Sequence, residues 1–299
     1  MKITALIPCL MLDNNRSVNR KFIINNISTL DLDNYAINDQ CFSDQDYEFF
    51  KKSSNITFIG NHKEKQGFVK TRNQLLDWFY NSDYDYALWI DANSSITKTT
   101  MNAYYTVINA IKEEKLNIDA MFSSLGIITC SERMKLASQD DYLDFVKLLP
   151  CDRYSIKMFA WLHCCLMKNV NKYYGDKLFI DSICDPNEGI SEDIYLSSSL
   201  RQLYDCYLCP SICVSKPRAN TSTWMNKSVD TKGVPSYGYP PVDWSRMEQL
   251  VFKNSKNFKK KKSESLGIIE LPRVEKDKNL LRQFKSRKKV TLNTRCDLF

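Results

Sequence analysis

The feature that most constrains this chain is the run at residues 84–90, Tyr-Asp-Tyr-Ala-Leu-Trp-Ile, and the way it ends. Aromatic and aliphatic residues packed this closely read as a strand covered on both faces. The run stops on Asp91-Ala92-Asn93-Ser94-Ser95, small polar residues that cannot continue a buried strand. An acid is thereby expected at the carboxyl end of a central strand, where open α/β sheets place their ligands.

The flanking pattern supports such a sheet. Residues 3–12 form an apolar run broken by Pro8, and residues 14–30 carry helical apolar spacing through Val18, Phe22, Ile23 and Ile27. A short strand is expected at 34–39, a helix at 44–52, a strand at 55–60 ended by Gly60 and Asn61, and a helix at 66–80. A helix at 97–115, with Thr97 or Thr99 as N-cap, and a strand at 120–129 complete the first half. Alternating strand and helix predicts an α/β fold, an open, mostly parallel, doubly wound sheet flanked by helices.

The second half is less regular. Residues 158–167 fit a strand or a short buried helix, 188–203 a loop running into a helix, and 204–214 a strand. A long loop over 215–244 is rich in Pro, Gly, Asn, Ser and Tyr, and one helix follows 245. The expected organisation is a nucleotide-binding half over 1–130, an acceptor-side half of the same domain over 131–250, and a basic extension over 251–299.

A hydrophobic content of 43% over 299 residues excludes a wholly disordered chain. No apolar stretch reaches the ~20 residues of a membrane span and no secretory signal is visible, so a cytoplasmic protein without a membrane span is expected. The 11 cysteines suit a reduced compartment. Cys206, Cys209 and Cys213 cluster, and the first two have a zinc-type C-x-x-C spacing, but no second pair accompanies them and the favoured reading is a buried strand rich in cysteine. The net charge of +7 is concentrated in KNSKNFKKKK (253–262) and KSRKK (285–289), which suit a nucleic-acid phosphate backbone or a solvated tail.

Three sets of residues can carry chemistry. Asp91 can hold a divalent cation or a ribose hydroxyl, and Ser94 and Ser95 add small hydroxyls. Lys70 and Arg72 in GFVKTRN (67–73) can meet phosphates, and Asn73 can bond a nucleoside or buttress the Asp91 loop. Glu192 and Asp193, after Ser191, open a helix whose dipole favours acids; either can also be a general base.

In this order the motifs resemble GT-A glycosyltransferases, especially those like glycosyltransferase family 2. Ile7-Pro8-Cys9-Leu10 is similar to the family's first strand end. Asp39 is the loose match to its nucleobase-contacting acid, and GFVKTRN matches G-x-x-x-A-R-N with Thr71 for alanine. Leu88–Asn93 (LWIDAN) matches D-x-D with Asn93 for the second acid, and Ser191–Leu203 matches the E-D pair and its helix. The resemblance covers roughly 2–210. It implies a nucleotide-sugar donor, a UDP-sugar by expectation, bound through Pro8, Asp39, Lys70, Arg72, Asn73 and Asp91. Manganese or magnesium would sit on Asp91 and Asn93, and an inverting displacement would use Asp193 as base with Glu192 beside it. The family's aromatic Q-x-x-R-W helix is missing.

For the acceptor, the basic runs and a Lys-, Asn- and Ile-rich composition suit an AT-rich phage or bacterial genome. They resemble, more loosely, T-even-type phage enzymes that glycosylate hydroxymethylcytosine, or a sugar already on it, in double-stranded DNA. A transferase acting on a surface glycan or a protein is the alternative enzyme. A sugar-nucleotide hydrolase and a non-catalytic nucleic-acid-binding protein are the others. No obligate protein partner is expected.

Overall fold

A computed structural model describes residues 1–30, 32–53, 55–96, 98–123, 145–151, 161–210, 214–215, 228–229, 235–236, 242–256, 258 and 266–273. Its first part alternates as the sequence predicts. The elements are β1 (Ile3–Leu10), α1 (Arg16–Leu30), β2 (Asn34–Gln40), α2 (Asp44–Phe50), β3 (Ile56–His62), α3 (Phe68–Tyr80), β4 (Tyr86–Trp89), β5 (Ser95–Ile96) and α4 (Lys98–Lys112). Then follow β6 (Ala120–Ser123), β7 (Phe145–Pro150), β8 (Trp161–Lys168), α5 (Val170–Tyr174), a 3-10 turn (Pro186–Glu188), α6 (Glu192–Leu203) and β9 (Cys206–Cys209). The chain continues through β10 (Val214–Ser215), β11 (Ser228–Val229), β12 (Pro235–Ser236), α7 (Trp244–Ser255) and β13 (Ile269–Pro272).

Nine strands form one sheet in the order β13-β7-β9-β6-β8-β4-β1-β2-β3; β5 pairs with β10, and β11 with β12. The sheet is mixed, which corrects the mostly parallel expectation. β4, β1, β2 and β3 are mutually parallel, as is the β6–β9 pair. β8 runs backwards between β4 and β6, and β7 and β13 are antiparallel to their neighbours. β8 resolves the strand-or-helix ambiguity over 161–167 in favour of strand. Cys165, Leu166 and Met167 are all fully buried, so its composition looks like a parallel strand covered on both faces. Strand β3 continues past Gly60, whose φ of 119° is one that glycine adopts freely, to His62.

Each face of the sheet is covered. Ile3, Ala5, Ile7 and Cys9 of β1 and Tyr86 and Leu88 of β4 pack with Ile23 of α1 and Tyr104 and Val107 of α4. The alternate residues Leu6, Ala87 and Trp89 pack with Leu75, Leu76 and Phe79 of α3, Leu196 and Leu200 of α6, and Met247 and Val251 of α7. Side chains of this size contribute roughly 1.5–3 kcal/mol each when fully buried. Every residue of α6 except Gln202 is buried, because sheet and α7 enclose it, and Ser197, Ser198 and Ser199 allow that close approach.

Cys206 and Cys209 lie on β9 three residues apart and face opposite sides of the sheet, one in each core cluster. They cannot converge on one zinc ion, which settles that pair as core. Cys213 lies outside the described residues. Most of the basic runs at 253–262 and 285–289, Thr97, and residues 124–130 and 158–160 are also outside them. Within the expected basic tail, β13 was not legible in the sequence: four residues, IELP, pair with β7.

At the end of the sheet remote from the β1 and β4 carboxyl ends, Lys168 and Asp119 form a buried ion pair at 3.0 Å. The ammonium also donates to Asn117 Oδ1 and lies 5.3–5.9 Å from the ring centroids of Tyr86, Tyr173 and Tyr174. Asp119 further accepts from Tyr174 Oη and from the Asp205 amide.

Candidate active site

The parallel order β4-β1-β2-β3 aligns the carboxyl ends of its strands along one edge. Pro8 is half-buried near the end of β1. β4 pairs with β1 only as far as Leu6, apart from one further bond from the Ile90 amide to the Leu6 carbonyl. Proline has no N–H to give a neighbouring strand, and β4 leaves β1 just before the position where one would be needed. The chain therefore opens here.

Asp91 stands immediately beyond β4, with a fifth of its side chain exposed. The turn after it is fixed twice: the Ser94 amide donates to the Asp91 carbonyl at 2.9 Å, and Asn26 Nδ2 of α1 donates to the Ser94 carbonyl at 2.8 Å. Asn93 is half-buried in that turn. On the β1 side, Asn15 and Asn19 both donate to the Leu10 carbonyl. Buried amides of α1 and the loop before it thus hold both loops that border the cleft.

Arg72 reaches the acids from α3. Its guanidinium is 2.8 Å from Asp193, 3.6 Å from Glu192 and 3.8 Å from Asp91, and lies 5.5 Å from the Trp89 ring centroid. Arg72, Glu192 and Asp193 are each more than nine-tenths buried. Ser191 is the N-cap residue of α6, as the sequence predicts, though its side chain makes no capping bond. The two acids occupy the first turn, where the helix dipole favours negative charge. The structure therefore brings together four of the candidate residues, Arg72, Asp91, Glu192 and Asp193, separated by up to 121 positions in sequence.

Burial, with the neighbouring Asp193 charge next, pushes the Glu192 carboxyl up to about 7, against the pull of Arg72. Its folded-state value lies above that of an unfolded glutamate, so the folded chain holds the extra proton between about pH 4.5 and 7. Stability is then lost as pH rises through that window. Urea unfolding of the wild type and of Glu192→Gln across pH 4.5–8 should show this slope diminished in the variant; identical slopes would remove Glu192 as its source.

The other candidates sit elsewhere. Asp39, at the end of β2, is fully buried; it accepts from the Asn61 amide at 3.0 Å and from Tyr47 Oη. Lys70 is exposed and donates to Gln66 Oε1 at 2.6 Å. Asn73 exchanges two 2.8 Å hydrogen bonds with the backbone of Ile180 and so ties α3 to the segment leading into α6. A groove of about 1280 Å³ runs along α3, lined in part by Lys70, Asn73, Phe179 and Cys184. Burial, then Asp181 and Glu192, push the Cys184 thiol up.

Sequence reasoning missed Gln40 and Asn38, buried polar residues of β2. Gln40 Nε2 donates to Thr71 Oγ1, Gln40 Oε1 accepts from the Gln66 amide, and Asn38 donates to Gln74. These bonds seat the start of α3 and explain why threonine stands where the motif has alanine. Two buried-length polar side chains in an otherwise apolar strand, NYAINDQ, were the available signal.

The oxygen donors at the strand end are few for a divalent cation. Asp91 offers one carboxylate and Asn93 a neutral amide oxygen, while a guanidinium already lies 3.8 Å from Asp91. Hard cations favour several anionic oxygens, and among the described residues no group of three His, Cys, Asp or Glu side chains is arranged to hold a metal. The residues present do not fit such an ion well. Among the described residues no helix is long and apolar enough to cross a membrane.

No family model and no curated protein matches this sequence. Solved structures do. TarS of S. aureus, in complex with UDP-GlcNAc, superposes with a TM-score of 0.54 at 12% identity, over 86% of this chain and 67% of that one. Another S. aureus TarS structure gives 0.46 at 14% identity, over 70% and 58%. A197 from STIV gives 0.40 at 14%, over 74% and 87%. Against a longer TarS chain, this one spans 36% of its length. At such identities only architecture is shared, and the first superposition carries it: this chain has a GT-A-type glycosyltransferase fold.

Proposed function

We propose that this protein transfers a sugar from a nucleotide-sugar, a UDP-sugar by preference, to an acceptor hydroxyl with inversion. The observation that carries the reading is the meeting of Asp91, Glu192 and Asp193 around Arg72 at the carboxyl edge of the parallel strands. Three carboxylates gathered around one guanidinium are costly for a fold and are the kind of arrangement that reactive sites retain. The likeness to TarS, a structure with UDP-GlcNAc bound, adds support for the donor class.

In this reading Asp193 takes the proton from the acceptor hydroxyl as its oxygen attacks the anomeric carbon. The bond from that carbon to the phosphate oxygen breaks, and the nucleoside diphosphate leaves with the electron pair. Arg72 fixes the Asp193 carboxylate, and Glu192, pushed up to about 7, is the acid that keeps a proton near neutral pH. Pro8, Asp39, Lys70 and Asn73 remain assigned to the donor side by motif.

For the acceptor we propose hydroxymethylcytosine, or a sugar already on it, in double-stranded DNA. The basic runs carry that assignment. Protein should be incubated with several nucleotide-sugars and hydroxymethylcytosine DNA, glucosylated DNA, unmodified DNA and free saccharides, and products read by mass spectrometry. The expected result is one added sugar on modified DNA only. Gain on a saccharide alone would replace the DNA acceptor, and no transfer or donor hydrolysis with any nucleotide-sugar would overturn the activity.

A further inference from the structure

We infer that Arg72 is the resident cation of the acid cluster, and that the site works without a divalent metal ion. The inference rests on the proposed transferase reading for what the cluster does, but on geometry for what balances it. The guanidinium lies within 4 Å of all three carboxylates and is itself 4% exposed, so the charge is built into the fold. It enters from α3, a helix seated by the Gln40–Thr71 bond and by the Asn73–Ile180 pair. Its planar fork can face several carboxylate oxygens at once, a geometry that an ammonium lacks. Trp89 backs it at 5.5 Å, an aromatic face that suits a cation.

A dication on Asp91 would sit against this guanidinium in a largely buried setting, where like charges repel strongly. Asn93 makes the same point independently. The position that would carry a second anionic ligand carries a neutral amide, so little anionic charge is left for a metal beside a guanidinium 3.8 Å from Asp91.

The test is a manganese titration of the full chain, read by electron paramagnetic resonance of the free ion. Wild type is expected to bind no more tightly than about 1 mM, whereas Arg72→Met should gain at least about tenfold and Arg72→Lys should not. Asp91→Asn placed on Arg72→Met should abolish the gain. Micromolar binding by wild type that Asp91→Asn removes would overturn the inference. So would Arg72→Met that folds, by circular dichroism, yet binds no better than wild type. If Arg72→Met does not fold, the wild-type titration decides alone. In parallel, UDP affinity of chelator-treated wild type should change by less than about threefold when manganese is restored. A larger rise counts against the inference. Absence of UDP binding in every condition would instead sink the donor reading, while the manganese titration still rules on Arg72.

Discussion

Asp193→Asn is expected to lower sugar transfer roughly 10²–10⁴-fold, the range that a positioned general base contributes. The substitution keeps shape while removing both the negative charge and the capacity to take a proton. The neighbourhood determines what else changes. The Asp193 charge is one of the causes that push Glu192 up, second to burial. Removing that charge relieves repulsion in a cluster where three acids face one guanidinium. The variant should therefore fold at least as well as the wild type at neutral pH, even though it loses the 2.8 Å ion pair with Arg72. Steady-state kinetics should place the loss in kcat, and donor affinity should stay within about threefold, because a base acts in the transition state rather than in donor binding. Transfer within tenfold of wild type would remove Asp193 as the base. Loss of folding would make the acid pair structural.

The second large effect lies at the other end of the sheet. Lys168→Met should destabilise the fold by about 3–5 kcal/mol, the usual cost of leaving a buried charge without its partner. Lys168 and Asp119 are 4% and 3% exposed, and the pair bridges β8 to the entrance of β6. The methionine replaces the side chain's length but not its charge, so Asp119 keeps the Tyr174 and Asp205 bonds and loses its counter-ion. For a chain of this size the loss corresponds to a drop of roughly 5–8 °C in Tm. Urea unfolding followed by circular dichroism reads it as a lower midpoint with an unchanged slope. Adding Asp119→Asn should restore part of the loss, since the orphaned charge goes too. A single-variant cost below about 1 kcal/mol would mean that the three tyrosine rings and water, not the pair, hold this corner together.

The first half of the chain was legible because its signals are local. Ile3–Leu10 and Tyr86–Trp89 are apolar runs of strand length, and α1, α3 and α4 follow them with helical spacing. Strand direction was not legible. β8 is apolar on both faces, which is how a parallel strand reads, and only its pairing with Met121 and Leu88 shows it reversed. β13 was missed because four residues beside a lysine-rich stretch give no periodicity to detect. In the site, motif order singled out Asp91, Arg72 and the acid pair, but not that Arg72 lies among the three acids. The ion pairs that Arg72 makes are to residues 19, 120 and 121 positions away, and no local pattern encodes them. Gln40 was overlooked for the same reason: its partner Thr71 is 31 residues off.

The paired bonds between Asn73 and Ile180 also bear on how the protein is made. They join segments 107 residues apart, and the acid pair lies only a dozen residues beyond Ile180. During synthesis Arg72 and Asp91 leave the ribosome long before Glu192 and Asp193 exist, at a few residues per second or faster. For that interval the β1–β4 unit must fold around an arginine whose final partners are not yet present. Closing so long a loop is slow relative to local helix and strand formation. The acid cluster around Arg72 should thus be the last part of the molecule to form, and a nascent chain halted before residue 176 would expose an arginine that the finished protein conceals.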